Sequence, residues 1–394
     1  MVDKPWVTII GLGEDGLAGL SDASRLAIAQ ADVVFGGPRH LALVGAGDRG
    51  QAWPVPFDVA PVLAWRGAGK VVVLASGDPF WFGAGGSLMP HLAPGDWVAH
   101  PAPSTFARAA AVLGWRLETV ACHGLHAAPF ARLRADLHGG AKLICLLQDG
   151  DAPRKFAAWL CDMGFGDSMC HVLEALGGPR QRVRRIAAKD FDLADVAAPV
   201  AVAVDAVGHG LSRGFGLPDD LFAHDGQITK RGIRAMTLAA LGPTPGARLW
   251  DIGAGSGSVS VEWCLAGGLA VAFEQNPMRA MNIRANGLTF GVDHRLLVVD
   301  AAAPAALINQ PPPDVVFVGG GGDQALYEAV LPMLRAGTRL VANAVTLQTE
   351  SLLLDLCTRH GGSLTRIDVA TATPLGRMHG WTAARPVVQW SAGI

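Results

Sequence analysis

The chain has 394 residues, half of them hydrophobic and 17% charged, with a formal net charge of -2. That length exceeds one ordinary core and predicts two or three domains. The near-neutral balance leaves no electrostatic footprint for nucleic acid and excludes a protein built around it. The 50 Gly and 25 Pro fall between apolar runs, as in α/β proteins. The 6 Cys contain no C-x-x-C pair, so reduced core thiols are expected, with no disulfide and no metal site. Met1-Val2-Asp3-Lys4-Pro5 leads straight into a strand without the regions of a signal peptide. Uncharged runs are broken by Gly and Pro before they reach membrane-spanning length. A cytoplasmic protein without membrane contact is expected, and its apolar composition predicts a homo-oligomer.

Taken in order, Val7-Thr8-Ile9-Ile10 predicts a strand, and Gly11-Leu12-Gly13-Glu14-Asp15-Gly16 matches G-x-G-x-x-G. A nicotinamide site would require an acid at the end of the next strand. Asp32 instead precedes the apolar run Val33-Val34-Phe35, and Gly36-Gly37 follow it. The dehydrogenase reading fails on that point. Periodicity predicts a helix over 17–31, with Ser21 as a cap. Lys70 to Ala75 reads as a strand buried in a parallel sheet. It ends in Ser76-Gly77-Asp78-Pro79, with Phe80-Trp81-Phe82-Gly83 behind. Ligands of open α/β sheets collect beyond the C-terminal ends of strands, where this turn lies. Pro101-Ala102-Pro103-Ser104-Thr105 opens a helix through Leu113. Strands are expected over 121–125, 143–147, 172–177 and 200–204, completing a first domain at 1–205. Asp78 reads as a ligand-facing acid or as a turn carboxylate capping the next segment. His123 reads as an acid–base group or as a turn residue.

Residues 206–222 are Gly-rich and aperiodic and predict a linker, with a second domain over 223–394. Thr229 is expected to cap a helix running through Ala240. The strand Arg248 to Ile252 then enters a turn of Gly253, Ala254, Gly255, Ser256 and Gly257, and a helix follows. Strand, glycine turn and helix N-terminus together cradle the polar part of a nucleotide-like ligand. The next strand ends in Glu274, 21 positions after Gly253, close to the roughly 20 expected of an acid that takes both ribose hydroxyls. The spacing is G-x-G-x-G, and Ser258 breaks the dinucleotide pattern. Further strands are expected over 295–300, 314–318 (ending in Gly319-Gly320-Gly321-Gly322), 338–346 and 386–390, as in one doubly wound sheet.

The turn D-x-G-x-G-x-G with its acid-ended strand resembles motif one of S-adenosylmethionine-dependent methyltransferases. Gly11-Leu12-Gly13, Ser76-Gly77-Asp78-Pro79, Pro101 to Thr105 and Cys122-His123-Gly124 occur in the order seen in tetrapyrrole methylases of the cobalamin pathway. The second half resembles the decarboxylating cobalamin-pathway methyltransferases, through Gln227-Ile228-Thr229-Lys230, the D-I-G-A-G-S-G-S turn, Val318-Gly319-Gly320 and Leu340 to Thr346. The order of the halves resembles the fused methylases of the oxygen-dependent route. The family departs here at four places. Glu14 and Asp15 stand where its first turn reads G-x-G-P-G, and Leu125 replaces an arginine. Gly232 replaces an acid, and Ala302-Ala303 stand where relatives carry Asp-Ala.

The resemblance implies a two-lobed class III tetrapyrrole methylase fold followed by a Rossmann-like class I methyltransferase fold. It implies one S-adenosylmethionine site per domain. Gly11, Gly13, Asp78, Gly83, Ser104 and Thr105 would serve the first, and Thr229, Gly253, Ala254, Gly255, Ser256, Gly257, Glu274 and Ala303 the second. The implied substrate is the anionic tetrapyrrole precorrin-6B, methylated at ring carbons 5 and 15 and decarboxylated at the ring C acetate to give precorrin-8X. Its carboxylates need local cations. Arg377 and His379 are candidates in the second half, with His123 for acid–base work in the first. Their bland reading is a solvated loop, and that of Arg182, Arg184 and Arg185 is a wet face. Trp81 and Trp381, beside turns, are the tryptophans that could face a macrocycle. A nucleic-acid methyltransferase would favour an N-P-P-Y turn and a basic face, both missing here. A non-catalytic binding scaffold would not need two cradles.

Overall fold

The computed structural model describes residues 5–319 and 322–394, so the readings made on Met1 to Lys4 and on Gly320-Gly321 lie outside the described residues. The chain forms two compact units. One holds residues through Phe130 and Asp136–His209, and the other holds Ala131–Ala135 and Gly210–Ile394.

The first unit has two five-stranded sheets. Its strands are β1 (Val7–Leu12), β2 (Val33–Gly36), β3 (Gly50–Ala52), β4 (Val71–Ser76) and β5 (Trp97–His100), then β6 (Val120–Gly124), β7 (Lys142–Leu147), β8 (Met169–Glu174), β9 (Arg182–Ala187) and β10 (Val200–Asp205). Its helices are α1 (Asp22–Gln30), α2 (Pro38–Val44), α3 (Ala60–Leu63), α4 (Ala84–Leu88), α5 (Thr105–Leu113) and α6 (Ala152–Asp162). The first sheet runs β3-β2-β4-β1-β5 with every neighbour parallel. Val7, Ile9, Ile10 and Val71 to Leu74 are almost fully buried, as central strands covered on both faces require. The second sheet runs β6-β7-β10-β8-β9 and is antiparallel apart from the β6–β7 pair.

The first helix is shorter than its periodicity suggests. A 3-10 turn occupies Gly16–Gly19, with Gly16 at φ +58°, and α1 begins after Ser21. Ser21 is the cap, accepting from the Ser24 N–H at 3.2 Å. The Arg182-Val183-Arg184-Arg185 run is a strand, β9. Arg182 and Arg184 both pair with the buried Glu174 and with Asp195. Burial opposes the Glu174 charge, but hydrogen bonds from Arg182, the Ala197 N–H and Arg184 hold its pKa below the usual value.

The second unit carries β11 (Arg248–Ile252), β12 (Leu269–Phe273), β13 (Leu296–Val299), β14 (Val315–Val318), β15 (Arg339–Ala344), β16 (Ser363–Ile367), β17 (Ala370–Leu375), β18 (Met378–Ala383) and β19 (Val387–Gly393). Its helices are α7 (Arg231–Leu241), α8 (Ser258–Leu265), α9 (Pro277–Thr289), α10 (Gln324–Val330) and α11 (Leu347–His360). The seven-stranded sheet runs β13-β12-β11-β14-β15-β19-β16. It is parallel through β15, and β19 lies antiparallel between β15 and β16. This is a Rossmann-like sheet. β17 and β18 form a separate two-stranded ribbon where the sequence suggested a loop.

The stretch expected as a linker is built into the second unit from Gly210 onward. Leu217 and Phe222 are buried in its core. Glu262 on α8 accepts from the N–H groups of Gly216 and Leu217 at 2.7 and 3.0 Å. Arg234 on α7 is fully buried and donates to Glu262 at 2.6 Å, to Asp219 at 3.0 Å, and to the carbonyls of Thr229 and Leu217. One guanidinium thus ties the incoming segment, α7 and α8 together. Removing one partner of a buried pair leaves an uncompensated charge. Arg234→Met is therefore expected to cost the second unit about 3–5 kcal/mol, read as a lowered urea midpoint. An unchanged midpoint would show that the clamp is energetically idle.

Candidate active sites

Each unit has one large cavity at the C-terminal ends of its parallel strands. In the first unit a cavity of about 620 Å³ is lined by Gly13, Glu14, Arg39, His40, Ser76, Gly83, Ser104, Thr105, Arg108 and His126, among others. Its aromatic wall is Trp53, Phe57, Trp81, Phe82 and Phe106, with Trp53–Phe57 and Trp81–Phe106 ring centres 4.9 and 4.8 Å apart. Ser104 caps α5 by accepting from the Ala107 N–H at 3.1 Å. Phe82 holds φ +58°, a conformation rarely kept by a bulky residue outside a constrained functional turn.

Gly11 does not line this cavity. A Cβ there would run into the Gly77 carbonyl and the Ala102 N–H, so Gly11 lets the end of β1 meet the segments that follow β4 and β5. Asp78 is not in the lining either, and its Oδ1 accepts from the Phe80 N–H at 2.9 Å within the turn. His123 is also outside the lining, with Nε2 3.1 Å from Asp136 Oδ2. Asp32 accepts from the Lys70 N–H at 2.7 Å at the start of β4, far in register from a ribose acid's place.

The second unit's cavity, about 970 Å³, is lined by Gly253, Ala254, Gly255, Glu274, Thr229, Lys230, Arg279, Ala303, Asn343 and Arg385, among others. Gly253, Gly255 and Gly257 all take positive φ, between 59° and 70°, which glycine alone adopts freely. Glu274 is buried. Its two oxygens accept from the N–H groups of Gly255 and Asn276, each at 2.9 Å, so the acid is aimed at the turn before any ligand arrives. Ser256 and Gly257 sit behind the lining. The Ser256 carbonyl accepts from Asn286 at 2.9 Å, and a Cβ on Gly257 would meet Ile283 at 2.7 Å. Thr229 does not cap α7. The N-cap is Lys230, and the Thr229 carbonyl binds Arg234 while the residue faces the cavity. Arg377 and His379 are exposed on the β17–β18 ribbon and are not brought to this cavity, and Trp381 is 80% exposed there.

Two families match the chain in the order of its units: tetrapyrrole (corrin/porphyrin) methylases over residues 7–192, and a precorrin methyltransferase domain over residues 220–393. A precorrin-6Y C(5,15)-methyltransferase [decarboxylating] from Sinorhizobium sp is 47% identical, over 98% of this chain and 96% of the relative. The Mycobacterium tuberculosis H37Rv protein of the same name is 40% identical, over 98% of this chain and 99% of that one. The crystal structure of the C-terminal domain of precorrin-6Y C5,15-methyltransferase from Rhodobacter capsulatus is 57% identical; it covers 47% of this chain and all of its own, with a TM-score of 0.46. The chain belongs to the decarboxylating precorrin-6Y C(5,15)-methyltransferase family.

Within this family member, the cavities contain polar residues that were not site candidates from the sequence. Arg39, His40 and His126 in the first unit, and Lys230, Arg279 and Arg385 in the second, line the cavities from loops and helix starts, and Asn343 lines the second from β15. Asn343 is locked in place: it donates to Thr237 at 2.9 Å and accepts from Gln389 at 2.9 Å. Only the Arg-His pair of the GGPRH stretch carried a usable signal, as two polar residues directly after an apolar strand. Among the described residues, no group of His, Cys, Asp or Glu could hold a metal ion, and no helix is long and apolar enough to cross a membrane.

Asp251, under the glycine turn, is fully buried. Ser260 donates to its Oδ2 at 2.6 Å, while Oδ1 has no partner among the described residues. Burial pushes its carboxyl up to about 6, with Ser260 opposing and the Glu274 charge adding to the rise. Because the folded value lies above the unfolded one, the stability Asp251 contributes is full in acid and is lost as pH rises through the folded value. The difference in unfolding free energy between the wild type and Asp251→Asn is expected to fall between pH 3.8 and about 6 and then level off. Urea titrations across that window check it, and a flat difference would contradict it.

Proposed function

We propose that the chain carries out two S-adenosylmethionine-dependent C-methylations on precorrin-6B, one in each unit, and removes the ring C acetate carboxyl as carbon dioxide. The carbon 5 methylation is assigned to residues 1–205, and the carbon 15 methylation and decarboxylation to 223–394, with 206–222 between them. The observation that carries this reading is the presence of two separate cavities, each built on a glycine turn at the C-terminal ends of parallel strands. The names of the full-length relatives, which specify both ring carbons and the decarboxylation, support it.

The residues present fit the cofactor. In the second unit the turn holds no Cβ at Gly253 and Gly255, and the buried Glu274 stands beside it at the end of β12. Cavities of this size suit a nucleoside-sized ligand. When bound, the cofactor supplies an electrophilic methyl group, so the protein's task is positioning and exclusion of water. Glu274 would take the ribose hydroxyls on its remaining lone pairs, and the Ala303 loop would flank the base. Lys230, Arg279 and Arg385 would receive substrate carboxylates in the second cavity, in place of the sequence candidates Arg377 and His379. Arg279 is steadied by Asp225 at 2.8 Å. The locked Asn343 offers a fixed dipole to the substrate.

Methylation of a ring methine carbon releases a proton. In the first cavity His126 is the better placed acceptor. A carbonyl only accepts, so the 3.2 Å contact between His126 Nδ1 and the Leu147 carbonyl fixes the proton on Nδ1 and leaves the Nε2 lone pair available. His126 lines the cavity, whereas His123 is turned to Asp136. Decarboxylation leaves an electron pair that the protonated conjugated macrocycle itself can absorb, while the cations above hold the substrate.

The test uses precorrin-6B and cofactor labelled with ¹³C in its methyl group. The wild type is expected to place label at two carbons and to release carbon dioxide. Glu274→Ala is expected to lose the carbon 15 label and the carbon dioxide by at least roughly tenfold, the worth of hydrogen bonds to a charged group. A wild type that installs one label, or a Glu274→Ala variant that keeps the carbon 15 label and the carbon dioxide at the wild-type level, would sink the assignment.

A further inference from the structure

In the first cavity, Glu14, Arg39, His40 and Ser76 form a hydrogen-bonded cluster with no task in the reaction outlined above. Arg39 is paired with Glu14, whose side chain is only 7% exposed. Arg39 Nη2 donates to Ser76 Oγ at 2.9 Å and to His40 Nε2 at 2.8 Å. A guanidinium has donors only, so His40 Nε2 is the acceptor and the ring proton sits on Nδ1. Burial, and then the Arg39 charge, pushes the imidazolium pKa down to about 4, which keeps the ring neutral in this tautomer. The Nδ1 atom is buried and meets no acceptor among the described residues. Orphaned buried donors are few in native folds, and each one calls for an explanation.

The charge count points the same way. Arg180 also reaches Glu14, at 3.5 Å, so two guanidinium groups share one carboxylate. Beside them Arg108 is matched singly by Asp15 at 3.2 Å. Arg180 is largely exposed and lies outside the cavity lining, so on the cavity wall that holds Glu14, Arg39, His40 and Ser76 together the Glu14 charge is shared rather than spent on Arg39 alone, and the His40 N–H is left over. Glu14 and Asp15, the residues that break the family's first-turn pattern, are what hold these arginines.

We propose that Arg39 and His40 Nδ1–H form a carboxylate subsite of the first cavity, with Glu14 and Ser76 positioning Arg39. The carboxylate comes either from a side chain of the tetrapyrrole or from the amino-acid end of the cofactor. This inference rests on the reading of the first cavity as a methyl-transfer site.

The test uses the full chain with Glu274→Ala, Lys230→Gln, Arg279→Gln and Arg385→Gln as background, so that both probes report on the first unit. Uroporphyrin I, a stable tetrapyrrole octacarboxylate, is titrated by fluorescence, and S-adenosylhomocysteine by calorimetry. Arg39→Gln is expected to weaken one of the two probes by roughly tenfold or more, and His40→Phe to weaken the same probe by a smaller factor. Arg39→Lys and His40→Asn, which keep a charge and a donor, should each recover part of the loss. A loss confined to uroporphyrin assigns the subsite to the macrocycle, and a loss confined to S-adenosylhomocysteine assigns it to the cofactor. If Arg39→Gln does not fold by circular dichroism, Arg39→Lys and His40→Phe carry the comparison. Variants that bind both probes as tightly as the background overturn the subsite and leave the function standing. A background protein that binds neither probe overturns the function assigned to this cavity, and the subsite with it.

Discussion

Both cavities depend on glycine turns: in the first unit the main chain comes closer to itself than any side chain allows, and in the second the turn takes backbone conformations that glycine alone adopts freely. In the first unit the end of β1 passes so near the turn after β4 that a Cβ on Gly11 would enter the Gly77 carbonyl, and a Cβ on Gly77 would come within 2.7 Å of the Ser104 backbone. In the second unit Gly257 starts α8 against Ile283, and Gly253 and Gly255 expose bare backbone to the cavity. Glycine is the residue that permits both the close approach and the positive φ values found there. Once these turns are fixed, the strand ends, the helix starts at Ser104 and Gly257, and the cavity walls follow from ordinary α/β packing.

Buried polar groups then set how precisely the walls are held. In the second unit Arg234 and Glu262 draw residues 216–219 onto α7 and α8, and the same guanidinium holds the Thr229 carbonyl beside the cavity. Thr237, Asn343 and Gln389 form a second such network behind the wall. In the first unit Glu14 and Asp15 gather Arg39, Arg180 and Arg108. Networks of this kind are costly when half-made and rigid when satisfied. Here they pair each arginine with an acid and so fix the cavity walls in one arrangement.

Much of this was legible in the sequence because it depends on local rules. Apolar strands, Ser21 as a cap and the Gly253 to Gly257 turn follow from neighbours a few residues apart, and the acid at Glu274 from its fixed spacing after that turn. What escaped depends on pairing across distance. β9 reads as a charged surface because its arginines are balanced by Glu174 and Asp195, which only the sheet brings near. The β17–β18 ribbon reads as a loop because its exposed faces carry no alternation, and Arg377 and His379 on it are not among the residues that line the second cavity. The linker reads as free chain because the groups that anchor it, Arg234 and Glu262, lie on helices whose own patterns give no hint of it. His126 becomes visible only when the cavity gathers it.

Two separate cofactor sites in one chain is the claim on which the whole account stands. Calorimetric titration of the intact protein with S-adenosylmethionine tests it most directly, by stoichiometry. The account predicts two sites per chain, with Glu274→Ala removing or weakening one and leaving the other as it was. A single site per chain, abolished by Glu274→Ala, would contradict it and leave the first cavity without a methyl donor.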